Sequence, residues 1–380
     1  MMDRILPFMM IDYGRRTTGR SLRRFVRSVL LGGIAIMSLG GSSAVARDGV
    51  SDAPQRAHIG ETNQLVMGSF APRPADFGLE TTIFGASKYT DSWPVAILHN
   101  SEGKTYFIIL GHRRDGESFL SIWVNTPDPS GNMPIDPRLP KIGKRPLNYR
   151  YDGATDELRY TAEGTGVDSA EITIGEKEMS WKQAGVMDLH GVEKTPGIFV
   201  YLPWRNESLS GVETWNAVKY LASGTLFGEP VTGFLHISRN FDTVPYSEGA
   251  ITRVLHGMSL QWTNLYGDGS MEQGVFRCGQ AGLQGAVVVN STGRELAHTN
   301  DVGIQIHWTP DKHITGADLR IGKELWKLTP AANATIVRPP PSIVSVNDGL
   351  MVRKNESRKV VRNWMTIEAD PTKMCVPPPQ

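Results

Sequence analysis

PVAILHNSEGKTYFIILGHRRDGESFLSIWVNT, residues 94–126, reads as a repeating unit of the chain. An apolar run ends at the turn Ser101-Glu102-Gly103. A second run follows from Thr105 to Leu110, and a third, Phe119–Val124, comes after Asp115-Gly116. Val, Ile, Phe and Tyr fit a pleated surface and acid-Gly pairs form tight turns, so the unit predicts an antiparallel meander. GMSLQWTNLYGDGSMEQGVFRCGQAGLQGAVVVNS, residues 257–291, echoes it: strand, Asp268-Gly269 turn, strand, bend, and a third strand ending in Val-Asn. Gly103 stands 22 residues before Asn125, and Gly269 stands 21 before Asn290. The expectation is two copies of one β-unit, each in its own sheet, because closing or curling removes the exposed edges of an antiparallel sheet.

Outward from these units the pattern continues. Gly197–Leu202 and Ile304–Trp308 read as further strands, and Asp152-Gly153 and Thr292-Gly293 as turns. Few segments show helical periodicity; Trp215–Leu221 is the best short helix candidate, or else continues a strand. The fold class is therefore all-β: two tandem antiparallel barrels or strongly curved sheets with few short helices. The expected divisions are an irregular lead-in at 47–84, a first β-domain at 85–196, a second at 197–338, and a Pro-rich tail at 339–380. Lys194-Thr195-Pro196-Gly197 marks the break, and Arg338-Pro339-Pro340-Pro341 opens the tail. Pro72 and Pro74 argue against a central strand in the lead-in.

Residues 1–46 read as a cleavable signal peptide. Arg15, Arg16, Arg20, Arg23, Arg24 and Arg27 precede the apolar run Val29–Leu39, and Ala44-Val45-Ala46 forms an A-x-A site before Arg47. That run has 11 residues, where a spanning helix needs about 20, so no stable membrane anchor is expected after cleavage. Either the general secretory or the twin-arginine route fits, the latter through Arg23-Arg24. The destination is periplasmic or secreted. The whole chain carries 40 basic and 39 acidic residues; the first 46 hold 7 and 2, leaving 33 against 37. A mildly acidic chain without a basic block is a poor nucleic-acid binder. Cys278 and Cys375 are the two cysteines. In an oxidising compartment they form one disulfide tying the tail to the second domain, or they are unrelated thiols with Cys278 buried.

The chain lacks a G-x-S-x-G elbow, an H-E-x-x-H pair, a phosphate-binding Gly loop and dinucleotide glycine spacing, so no cofactor is required. Its histidines show no ligand spacing, and no metal site is expected. In Gly233–Arg239, strand alternation puts Phe234, His236 and Ser238 on one face and Leu235, Ile237 and Arg239 on the other. A histidine held in a barrel interior acts as acid or base near neutral pH; the bland alternative is a core histidine bonded to a carbonyl. Glu272, if buried, has its pKa raised by desolvation and becomes a proton donor; exposed, it is an ordinary strand residue. The catalytic set is thus His236, with Glu272 as proton partner and Gln261 or Arg239 as polarising donor. Phe234, Trp262, His307 and Trp215 are candidates to line a ligand cavity, though a large core also explains the tryptophans. Three function classes stay open: acid-base chemistry on a hydrophobic small molecule, a non-catalytic carrier of one, and a carbohydrate-active β-sandwich using Glu213 and Glu272.

The order of elements from Gly257–Arg277 through Ala286–Gly293, Trp308-Thr309-Pro310 and Leu319–Leu328 resembles the carotenoid 1,2-hydratase/AttH-like group. The resemblance spans roughly 85–340 and rests on pattern. It implies two lipocalin-like (calycin) barrels and a cavity for a terpenoid, steroid or other apolar molecule, with hydration or isomerisation among the relatives' chemistries. Such hydratases place an aromatic and an Asp-His pair early in the second barrel. The matching stretch here has His236 where the aromatic falls, and Ser238-Arg239 in place of the pair. The resemblance therefore implies the fold and an apolar ligand, without carrying over the reaction.

Overall fold

The computed structural model describes residues 65–78, 82–83, 87–113, 118–128, 130–142, 146–193, 195–205, 210–242, 258–278, 284–337 and 344–369. The expected signal segment, the expected turn at Asp115-Gly116 and Cys375 lie outside them. The first half contains β1 (Val66–Phe70), β2 (Thr82–Ile83), β3 (Ser87–Asn100), β4 (Thr105–Arg113), β5 (Phe119–Val124), β6 (Asn148–Asp152) and β7 (Glu157–Ala162). It continues through β8 (Ala170–Ile174), β9 (Glu178–Gln183), β10 (Met187–Glu193), β11 (Gly197–Arg205), β12 (Ser210–Leu226) and β13 (Glu229–Asp242). The second half contains β14 (Met258–Tyr266), β15 (Met271–Cys278), β16 (Gln284–Asn290), β17 (Glu295–Thr299), β18 (Val302–Trp308) and β19 (Ile314–Ile321). Its remaining strands are β20 (Glu324–Pro330), β21 (Thr335–Val337), β22 (Val344–Val346), β23 (Gly349–Arg353) and β24 (Val360–Ala369). Two 3-10 turns, Pro74–Phe77 and Gly166–Asp168, are the helical elements among the described residues. The all-β, antiparallel expectation holds.

The two echoing units are both three-stranded meanders, β3-β4-β5 and β14-β15-β16. Their first turns place Gly103 at φ +77° and Gly269 at φ +80°, a conformation that favours glycine. Asn100 Oδ1 accepts from the amides of Glu102 and Lys104, and Asp268 Oδ1 from that of Ser270. The side chain thus bonds its own turn, as Asx residues do.

The first sheet has 13 strands, with the main order β5-β4-β3-β13-β12-β10-β9-β8-β7-β6. Ile108 and Ile122 from one end and Tyr160 and Trp181 from the other share one buried core. The sheet therefore curls over that core as a half-barrel. In the second half, a 7-stranded sheet (β17-β16-β15-β14-β24-β22-β21) and a 4-stranded sheet (β18-β19-β20-β23) enclose another core. Trp262 and Trp326 meet there at 5.2 Å between ring centroids. A third apolar layer lies between the two halves, where Val95, Ile97 and Phe234 pack with Met271 and Trp364, and Trp215 packs with Val275 and Val287. Asp348 ties the halves at one end of this layer. Its carboxylate accepts from Thr105 Oγ1 at 2.6 Å, His99 Nε2 at 3.2 Å and Asn363 Nδ2 at 3.1 Å.

Several expected boundaries differ. Residues 66–70 in the lead-in are a strand paired with β11; Gly68 has no Cβ, which gives the Phe199 ring room. The stretch after 197 does not start the second half, because β11, β12 and β13 complete the first sheet by pairing back to β1, β10 and β3. Trp215–Leu221 lies inside β12 and is not a helix. Residues 344–369 form β22, β23 and β24, with β24 hydrogen-bonded between β14 and β22 rather than lying in a tail.

Gly274 faces Trp262 across the β14–β15 pair, and a Cβ at 274 would fall inside the indole. Gly274→Val is expected to displace Trp262 and lower unfolding free energy by about 1–3 kcal/mol, as overpacked cores do. Equilibrium denaturation checks this; an unchanged midpoint would show that the Trp262 ring is not held there.

Candidate functional site

Over Thr214–Tyr220 of β12 and Gly233–Phe241 of β13 both faces are buried, so alternation there sends residues into two different layers. Leu235 and Ile237 enter the first core, whereas Phe234 belongs to the layer between the halves. His236, two residues beyond Phe234, takes the same face. Lys219 lies directly across from it on β12. The facing sheet contributes Trp364 from β24, which pairs with Thr263 of β14. The His236 ring stacks on Trp364 at 5.1 Å and on Trp215 at 6.3 Å. The Lys219 ammonium sits 4.4 Å from the centre of the Trp364 ring, and the Arg277 guanidinium 4.8 Å from that of Trp215. Arginine and lysine over indole faces are held by the ring quadrupole.

This layer is buried and carries cationic side chains. His236 and Lys219 are each 2% exposed. Burial, then the charges of Lys219 and Arg277, hold the His236 imidazole well below its ordinary pKa of 6.5, so it stays neutral. Burial and the nearby Arg277 bring Lys219 down to about 7. No carboxylate forms an ion pair with Lys219 among the described residues. The buried His236 Nδ1, Gln261 Oε1 and Thr263 Oγ1 have no hydrogen-bond partner there. Buried polar atoms are nearly always satisfied, by protein or by another molecule, so these three are available to meet a polar group. An imidazole flanked by indoles and a partly neutral amine can accept, donate and relay protons on an apolar guest.

The other sequence candidates divide among three places. Gln261 joins this layer: its neighbours Leu260 and Trp262 enter the second core, which turns Gln261 and Thr263 to the opposite face. Phe234 and Trp215 belong to the layer as well. Arg239 does not; it is fully buried in the first half-barrel, where its guanidinium donates to the Gly78 carbonyl at 2.8 Å and to the Tyr160 hydroxyl. Glu272 points into the second core and pairs with Arg353 at 2.8 Å. Burial does raise its pKa, against the pull of Arg353 and Arg358, but the expected His236–Glu272 pair is not formed. Odd–even register explains this: Glu272 shares a face with Gly274 and Phe276, opposite Met271 and Val275. Trp262 belongs to the second core, against Trp326, and not to this layer. His307 is exposed on the 4-stranded sheet and bonds Asp318 at 2.7 Å. The Glu213 side chain lies outside the described residues, and Cys278 is fully buried at the end of β15.

Lys219 and Trp364 were missed. Lys219 sits in WNAVKYLA, residues 215–222, where one lysine in an apolar strand was the available signal. Trp364 fell in the supposed tail. Two open grooves, of about 580 Å³ beside Asp348 and Asn363 and about 540 Å³ beside Gln183 and Thr225, are not lined by His236, Lys219 or Trp364. Among the described residues no group of three or more His, Cys, Asp or Glu is placed to hold a metal, and no helix is long and apolar enough to cross a membrane.

The chain matches no family model and no curated protein. Solved structures similar to it include a protein described as an AttH from Nitrosomonas europaea, at 12% identity and TM-score 0.45 over 78% of this chain and 96% of that one. CghA with Sch210972 is similar at 8% identity and TM-score 0.46, over 82% of this chain and 99% of that one. Kievitone hydratase from Nectria haematococca is similar at 9% identity and TM-score 0.38, over 80% and 98%.

Proposed function

We propose that the chain is an exported protein that takes a hydrophobic small molecule into the layer between its two halves and works on it by acid-base chemistry, isomerisation or hydration, at His236. The observation that carries this reading is the buried His236 ring, stacked on Trp215 and Trp364, with Nδ1 unpartnered beside Lys219. Indole faces and a dry surround suit an apolar guest, and they strengthen each polar contact made to it. Neutral imidazole serves as a base, and the imidazolium formed in that dry setting is a strong acid that returns the proton. A pure carrier needs no convergence of titratable groups, and here histidine, lysine and arginine converge. Cleavage after Ala46 and a Cys278–Cys375 bridge belong to the same proposal.

Geraniol, a neutral terpene alcohol, is the binding probe. Calorimetry is expected to show binding to the native chain, weakened about 3–10-fold by Trp364→Phe, the range of an aromatic stack. Equal affinities in the two proteins would remove the site from this layer.

The protonation pattern gives a second check. In the folded chain Lys219 titrates near 7, from an ordinary 10.5. Across that interval the unfolded state binds more protons, so stability climbs with pH. His236, neutral when folded, adds a loss of stability below its ordinary 6.5. Denaturant midpoints are therefore expected to rise from pH 5 to pH 10. Lys219→Met should flatten the portion above pH 7, which amounts to up to about 4 kcal/mol. A native profile as flat as the variant's would mean that Lys219 is solvated.

Export has its own measurement. N-terminal sequencing of the chain recovered outside the cytoplasm is expected to begin at Arg47, and digestion without reductant to yield the Cys278–Cys375 peptide. An intact Met1 in that fraction contradicts the signal assignment.

A further inference from the structure

We propose that Lys219 captures an aldehyde or ketone as a covalent imine in the layer between the two halves. The proposal rests on the reading that a small molecule enters this layer, and it adds the carbonyl group as the defining feature of that molecule. Lysine becomes a nucleophile where it is desolvated and set beside another cation, since both favour the free amine. Lys219 meets both conditions: it is 2% exposed, it lies over the Trp364 ring, and the charge of Arg277 acts on it. A buried lysine kept for structure is ordinarily met by a carboxylate, and among the described residues no ion pair to Lys219 exists. Burial brings its pKa to about 7, which leaves a large share as amine at neutral pH.

The neighbours suit the remaining steps. Nζ adds to the carbonyl carbon, forming a C–N bond and a hydroxyl on that carbon. Loss of that hydroxyl as water then forms the C=N bond. The amine gives up two hydrogens, the carbonyl gives up its oxygen, and no oxidant or reductant is consumed. His236, directly across on β13 with Nδ1 unpartnered, is placed to carry the proton from nitrogen to the departing oxygen. The buried oxygens of Gln261 and Thr263 on the facing sheet are available to that hydroxyl. The indole faces of Trp364 and Trp215 favour an apolar or aromatic body on the carbonyl compound.

The test uses cinnamaldehyde and its alcohol, which cannot form an imine. The full chain is incubated at pH 7 with cinnamaldehyde and sodium cyanoborohydride, and peptides are mapped by mass spectrometry. An ordinary ammonium is amine in roughly one part per few thousand at this pH, so Lys219 is expected to react at least ~10-fold faster than exposed lysines such as Lys323 and Lys327. In Lys219→Arg the adduct at this position is lost, while slow labelling of exposed lysines continues. Binding of cinnamyl alcohol to the native chain is measured in parallel by calorimetry. Binding of the alcohol without a preferred adduct at Lys219 overturns the imine and leaves the pocket standing. No binding of the alcohol and no adduct overturns both. The native chain alone decides between these outcomes, so the test survives a variant that fails to fold.

Discussion

The pairing of β13 with β3 on one side and β12 on the other makes a ribbon that is buried on both faces. One face closes the first half-barrel and the other meets the second sheet. Every second residue along the ribbon therefore serves a different layer. Leu235 and Ile237 fill the half-barrel, while Phe234 and His236 look toward Trp364. A strand exposed on one side has an obvious inner face. A strand covered on both sides has two inner faces, and polar residues on either become structural or chemical features.

Three groups of buried polar side chains result, and they differ in how far they are satisfied. Inside the first half-barrel, Arg239 donates to the Gly78 carbonyl and the Tyr160 hydroxyl. At the edge of the second core, Glu272 is met by Arg353, and Arg358 holds Glu356. In both, the charged groups meet polar or ionic partners, although Arg239 Nε and one Glu272 oxygen have no hydrogen-bond partner, and such clusters help to specify how strands register. The layer between the halves is different. His236, Lys219, Gln261 and Thr263 are buried there with apolar neighbours, and the charges that act on His236 and Lys219 are positive. Folding has placed in this layer groups that cost stability where they are, which is a common mark of sites kept for binding or chemistry.

Much of the fold was legible because it is local. The strands expected at Thr105–Leu110, Phe119–Val124, Gly197–Leu202 and Ile304–Trp308 all lie within observed strands, and the two meanders match the echo. The division into halves was less legible, since β11, β12 and β13 join partners over a hundred residues earlier and no local signal records that choice. At the site, alternation grouped His236 with Phe234 as found, but that face turns to the layer between the halves and not into a barrel interior, and the expected partner Glu272 lies elsewhere. Glu272 and His236 are each buried, and burial alone does not say in which layer. Lys219 was obscured because its segment was read as a short helix or a continued strand, and Trp364 because the prolines at 339–341 were read as opening a tail.

The place of β24 in the second sheet sets an order of assembly. It is the last described strand in the chain, yet it lies in the middle, with β14 on one side and β22 on the other. Until residues 360–369 emerge from a ribosome or a translocation channel, β14 has a bare edge and Trp364 is missing from the layer opposite His236. The first sheet, whose strands end at Asp242, has no such wait. Synthesis thus completes one half early and leaves the other with an open edge, available to stray strands, until its central piece arrives.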